Sequence, residues 1–83
     1  MTPHLIGEWT APRYIFDVAL AGRAAYVAAG ASGVYVLDLG GERPTLLGLA
    51  RDLGFATRLA VDEGYVYVLD RSRNELRRTM PPF

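Results

Sequence analysis

Ala25-Tyr26-Val27 and, forty-one residues on, Tyr65-Val66-Tyr67-Val68-Leu69 decide how this chain is read. Both are short runs of β-branched and aromatic residues, the types that fit a pleated, half-buried surface. Gly33-Val34-Tyr35-Val36-Leu37 is a third such run. Small or charged turns separate them: Ala21-Gly22-Arg23, Gly30-Ala31-Ser32-Gly33, Gly40-Gly41, Asp62-Glu63-Gly64 and Ser72-Arg73-Asn74. No segment offers ten residues at helical spacing with caps, and glycine at this density weakens helices.

The spacing between the first two runs extends along the chain. A shift of 41 residues puts Pro3 on Pro44, Leu5 on Leu46, Gly7 on Gly48, Ala19 on Ala60, Tyr26 on Tyr67 and Val27 on Val68. Conservative matches fill the gaps: Ile6 with Leu47, Tyr14 with Phe55, Val18 with Leu59, Leu20 with Val61 and Leu39 with Met80. A period near 40 suits paired-helix solenoids or four-stranded propeller blades, and the strand character selects the second. The pattern predicts eight strands at 4–9, 15–21, 24–29, 33–39, 45–50, 56–62, 65–71 and 75–80. Val34-Tyr35-Val36-Leu37 is apolar on both faces, so it needs cover on both sides. A blade sandwiched between two others supplies that.

Residues 16–28, Phe-Asp-Val-Ala-Leu-Ala-Gly-Arg-Ala-Ala-Tyr-Val-Ala, followed by Ser32-Gly33-Val34-Tyr35-Val36-Leu37-Asp38-Leu39, resemble the LVIVD-repeat family of bacterial β-propellers. Pro44-Thr45-Leu46-Leu47-Gly48 and Pro3-His4-Leu5-Ile6-Gly7 resemble the tail of that repeat. The second copy departs where Arg73-Asn74-Glu75-Leu76-Arg77-Arg78 replaces the apolar run. The resemblance implies an all-β fold of two four-stranded blades and supplies no catalytic residues.

The blade order predicts an offset. Strands 15–50 fill one blade, and 56–80 give three strands of a second. Strand 4–9 stands spare at the other end, and would complete the blade containing 56–80 of a neighbouring copy. The repeats run from about 2–42 and 43–83, so a single two-blade unit spans 1–83, and two periods nearly fill the 83 residues. Two blades alone expose apolar faces and an unpaired edge. A head-to-tail contact closes into a ring or grows into a filament. Propellers typically have about 4–8 blades. Six blades as a homotrimer is the preferred expectation and eight as a tetramer the second. The subunit joint is expected at Leu5, Ile6, Trp9, Leu76 and Met80. The competing expectation is a fragment of a longer single-chain propeller.

Composition narrows function more than it names it. Half the residues are apolar (51%), and nine arginines balance nine Asp and Glu. No basic footprint argues for nucleic acid. No apolar run approaches a membrane span of ~18 residues, and Met1 to Thr10 lacks the pattern of a signal peptide. The absence of cysteine removes thiolate nucleophiles and cysteine zinc sites. His4 is the only imidazole, a poor metal or catalytic candidate without a second ligand nearby. The expectation is therefore no enzyme and no cofactor. A channel enzyme using symmetric Asp17 or Asp52 carboxylates is the alternative. Propeller loops converge at one channel mouth, which here would hold Arg13, Arg51, Asp52, Arg71 and Arg73. Guanidinium forks bind carboxylate and phosphate bidentately, so a small anion or a peptide is the expected ligand beside other copies of the chain. Asp17 and Arg58 share a repeat position and are expected to alternate as ion pairs around the channel.

Overall fold

The computed structural model describes residues 14–51 and 53–80. They form seven strands: β1 (Asp17–Ala21), β2 (Ala24–Ala28), β3 (Val34–Asp38), β4 (Thr45–Ala50), β5 (Ala56–Asp62), β6 (Tyr65–Asp70) and β7 (Glu75–Thr79). Neighbours pair antiparallel, giving a four-stranded sheet in the order β1-β2-β3-β4 and a three-stranded sheet in the order β5-β6-β7. The described residues contain no helix. The protein is all-β, as the sequence predicts. The strand expected at 4–9 lies outside the described residues, as do Leu5, Ile6 and Trp9 of the expected joint.

Strand limits follow the sequence closely. Strands 45–50 and 56–62 begin and end where expected. The first begins at Asp17 rather than 15, because Tyr14–Phe16 lead in from the end of the sheet. Trimming by a residue at the other ends reflects the turns. The forty-one-residue period reappears in space, with β2 starting at Ala24 and β6 at Tyr65, and β3 at Val34 and β7 at Glu75. Its turns repeat as well. Gly22 and Glu63, equivalent residues, have φ of 60° and 50°, and Gly33 and Asn74 have 99° and 55°.

The two sheets stack on unlike faces. Tyr26, Ala28, Val34 and Val36 of the first sheet meet Leu53, Ala56, Val66 and Val68 in one buried cluster. Val68 is the repeat equivalent of Val27, which faces the other way, in a second cluster with Ala25, Ala29, Tyr35 and Leu37. Thus one side of the first repeat packs on the opposite side of the second. β2 and β3 bury both faces, which explains their unbroken apolar sequence.

β7 shows why its sequence breaks the apolar pattern. Tyr26 pairs with Val36, whereas Tyr67 pairs with Arg78, so β7 is slid by one residue against β6. A slip of one turns every side chain to the other face. Arg77 then lies opposite Val68 on the inner face, and Leu76 lies opposite Leu69 on the outer face. Leu76 is 69% exposed, and Met80 is exposed beyond it.

A candidate binding cleft at one end of the sheets

The segment before β1, the β4–β5 connection and the β2–β3 and β6–β7 turns gather at one end of the molecule. The sheets are stitched there by a bridge between Gly30 and Ala56. The Gly30 amide donates to the Ala56 carbonyl at 2.8 Å, and the Ala56 amide donates back at 3.1 Å. Phe16 and Phe55 stand over this bridge as an edge-to-face pair, with centroids 5.4 Å apart. Their rings leave no room at Gly30, where a Cβ would lie 2.8 Å from Phe16 and 3.0 Å from Phe55. Glycine also suits the φ of 61° there.

Around the aromatic pair lies a cleft of about 480 Å³, lined by Tyr14, Phe16, Phe55 and residues 29–32. A neighbouring hollow of about 550 Å³ shares Phe16 and adds Thr57, Arg58, Leu69, Arg71 and Asn74. Arg71 also lines an apolar recess with Phe16 and Phe55. The ion pairs among the described residues lie elsewhere: Arg23–Asp38 at 3.3 Å, Arg77–Asp70 at 3.1 Å and Arg77–Glu75 at 3.6 Å. Two guanidiniums therefore face the hollow with no carboxylate among the described residues at ion-pair distance.

The floor is organised by Asp70, which is fully buried. Its Oδ1 accepts from the Ser72 hydroxyl at 2.6 Å, the Phe55 amide at 2.9 Å and the Ser72 amide at 3.0 Å. Its Oδ2 accepts from Arg77 Nε at 3.1 Å. The Ser72 hydroxyl, the Phe55 amide and Arg77 hold the carboxyl well below the usual carboxylate range, against the opposing effect of burial. These bonds tie the β4–β5 connection to the β6–β7 turn and fix Phe55 at the cleft. Asp70 is a positioning residue, with its oxygens occupied by the protein itself.

The expected site residues divide. Arg71 lines the neighbouring hollow and the apolar recess beside Phe16 and Phe55. Arg51 lines a separate hollow with Ala31, Ser32, Tyr35 and Leu49. Arg73 is exposed in the β6–β7 turn. Arg13 and Asp52 lie outside the described residues, as does His4. Asp17 meets the Leu59 amide at 2.8 Å through Oδ2 and its neighbour's amide, Val18, at 2.9 Å through Oδ1. It thus joins the two sheets through a backbone amide of β5, while Arg58 lines the neighbouring hollow.

Sequence reasoning missed Tyr14, Phe16 and Phe55 as cleft residues. The signal was the shared repeat position of Tyr14 and Phe55, each just ahead of the first strand of its sheet. Among the described residues no three His, Cys, Asp or Glu side chains cluster to hold a metal. Apolar ring faces beside two guanidiniums suit a ligand that pairs an anionic group with a flat apolar part. Compared with known proteins, the chain matches no family model, no curated protein and no solved structure.

Proposed function

We propose that the chain is a non-enzymatic binding unit made of two neighbouring β-propeller blades, that copies join head to tail into a closed ring, and that the Phe16–Phe55–Arg71 cleft binds a small anion or peptide carboxylate. One observation carries this reading. The two sheets pack through opposite sides of the same repeat, the Tyr26 side of the first against the Val68 side of the second. A contact between unlike faces leaves the Tyr67 side of the second sheet and, along β1, the exposed Val18 and Leu20 of the first, so a further copy can add there, while Ala25, Val27, Tyr35 and Leu37 of that first-sheet face are already buried within the single chain. The likeness of residues 16–39 to the LVIVD repeat points in the same direction. Six blades from three chains is the preferred ring. The second sheet has only three strands among the described residues, which leaves the outer edge of β7 as the place for strand 4–9 of another copy.

Solution mass by light scattering on a size-exclusion column tests this. A single species at three times 9.1 kDa is the expected result, and four times would mean eight blades. A folded monomer at micromolar concentration would overturn the ring. An aggregated or unfolded chain would mean that the blades completing it lie on a longer polypeptide.

A further inference from the structure

We infer that the seam between copies is closed on its inner, channel side by Arg58 of one copy meeting Asp17 of the next, and by Arg71 meeting Tyr14 of the next. This inference rests on the ring reading above and specifies its joint. It follows from carrying the observed sheet-to-sheet contact forward by one repeat. Inside the chain, Asp17 of the first sheet reaches the Leu59 amide of the second. The equivalents at the seam are Arg58 and Val18 of the next copy. Val18 of every copy has its amide on Asp17 Oδ1 at 2.9 Å. Arg58 therefore arrives where an aspartate carboxylate already sits. Opposite charges meet at the seam, whereas the contact inside the chain uses a carboxylate on an amide.

The aromatic positions follow the same shift. Inside the chain Phe55 lies against Gly30 and Phe16. At the seam Tyr14 of the next copy takes the place of Phe55, Arg71 that of Gly30 and Thr57 that of Phe16. A guanidinium beneath a phenol ring is a cation–π contact, which uses the flat face of Arg71 and leaves its in-plane N–H groups for the anion of the proposed function. Tyr14 is 79% exposed in the single chain. On the β1 side of the first sheet, Val18 is 49% and Leu20 69% exposed, while their equivalents Leu59 and Val61 are half-buried against the first sheet. The opposing surface of the second sheet carries Ala60, Tyr67 and Leu69, aligned by the β5–β6 register. Ala25, Val27, Tyr35 and Leu37 of the same face are buried within the single chain, so the seam is confined to β1 and its lead-in, where charge and exposed apolar residues both select a second copy of this chain as the occupant.

Three variants test the joint. Arg58→Glu places like charges together and is expected to lower the apparent mass to one chain, or to raise the assembly concentration at least tenfold. Arg58→Lys should keep the assembly. The chain has no cysteine, so Val18→Cys with Arg58→Cys can be oxidised without background. The two positions face away from each other within one chain, so a covalent ladder ending at the full ring, reversed by reductant, is expected from the double variant and from neither single one. An oligomeric wild type whose Arg58→Glu variant keeps its full mass, or whose double-cysteine variant assembles but forms no ladder, overturns the seam. A monomeric wild type overturns the ring itself, so the two failures are distinct.

Discussion

The first sheet is apolar on both faces of β2 and β3, and the second holds a buried carboxylate paired with a half-buried arginine at two of the equivalent positions. Ala29 and Val36 of the first repeat become Asp70 and Arg77 of the second. Ala29 and Val36 are buried among hydrocarbon. Asp70 is equally buried but is surrounded by four donors. The difference teaches that this repeat tolerates a carboxylate in its interior when turn amides and one arginine converge on it. It also shows what the exchange achieves. Hydrocarbon packing has no preferred direction, whereas the Asp70 bonds fix the Phe55 loop and the β6–β7 turn in one arrangement. The second sheet gives up apolar area and gains a defined end, where the cleft lies.

Breaking Asp70 should have the largest effect. Asp70→Ala removes the acceptor for Phe55, Ser72 and Arg77 together and leaves part-buried donors unpaired. It is expected to give the largest fall in melting temperature of the series and to disorder the cleft, read by circular dichroism and Phe55 resonances. The sign of its pH dependence follows from the depressed folded-state value. The unfolded chain binds the proton first, near pH 4. The contribution is therefore fully present above that value and is lost as pH falls below it toward the folded value. Asp70→Ala should flatten the acid limb of the stability profile. A wild-type profile flat from pH 5 to pH 2 would contradict this.

The apolar counterpart is smaller and free of pH. Val36→Ala in the first sheet and Val68→Ala in the second each remove two carbons from one cluster. Each should cost about 2 kcal/mol in urea unfolding, equally at pH 4 and pH 7. A marked inequality between them would mean that the two sheets unfold separately. Gly54→Ala probes the boundary between the two kinds of packing. Gly54 has φ of 71°, and an added Cβ would run into the Asp70 carboxylate. The left-handed backbone alone costs about 1–2 kcal/mol for an alanine.

How far the sequence shows this contrast depends on the residue. The strands were legible because Tyr26-Val27, Val34–Leu37 and Val66–Leu69 can only be strands between such tight turns. Stacking was legible in outline from apolar residues on both faces of β3. The Asp70 site was not. Its donors come from Phe55, fifteen residues earlier, and from Ser72, which reads as an ordinary turn residue. The inward Arg77 was hidden by the one-residue slide of β7, since an alternation pattern gives faces only once register is known. The cleft was half legible. Arg71 was named from its loop, while Phe16 and Phe55 passed as apolar positions because nothing local marks a ring that covers a bare glycine from another sheet.

The smallest effect sharpens the comparison from the surface. Arg23 and Asp38 pair at 3.3 Å in the first sheet, with the Arg23 side chain 76% exposed. Arg77 and Asp70 pair at 3.1 Å in the second, with the carboxylate out of reach of solvent. The chemistry is the same and the surroundings differ. In water the Arg23 attraction is screened, and its long side chain loses freedom to make the bond. Asp38 keeps a second partner in the Gly40 amide at 3.0 Å, so removing the arginine does not strand it. Arg23→Ala should therefore cost about 0.5 kcal/mol or less, a difference that about 1 M sodium chloride should erase. Arg77→Ala should cost more and keep most of its cost in the same salt, because the carboxylate it leaves behind stays buried. Equal losses and equal salt sensitivity in the two variants would show that the Asp70 site is open to water, and would remove the distinction between the two sheets.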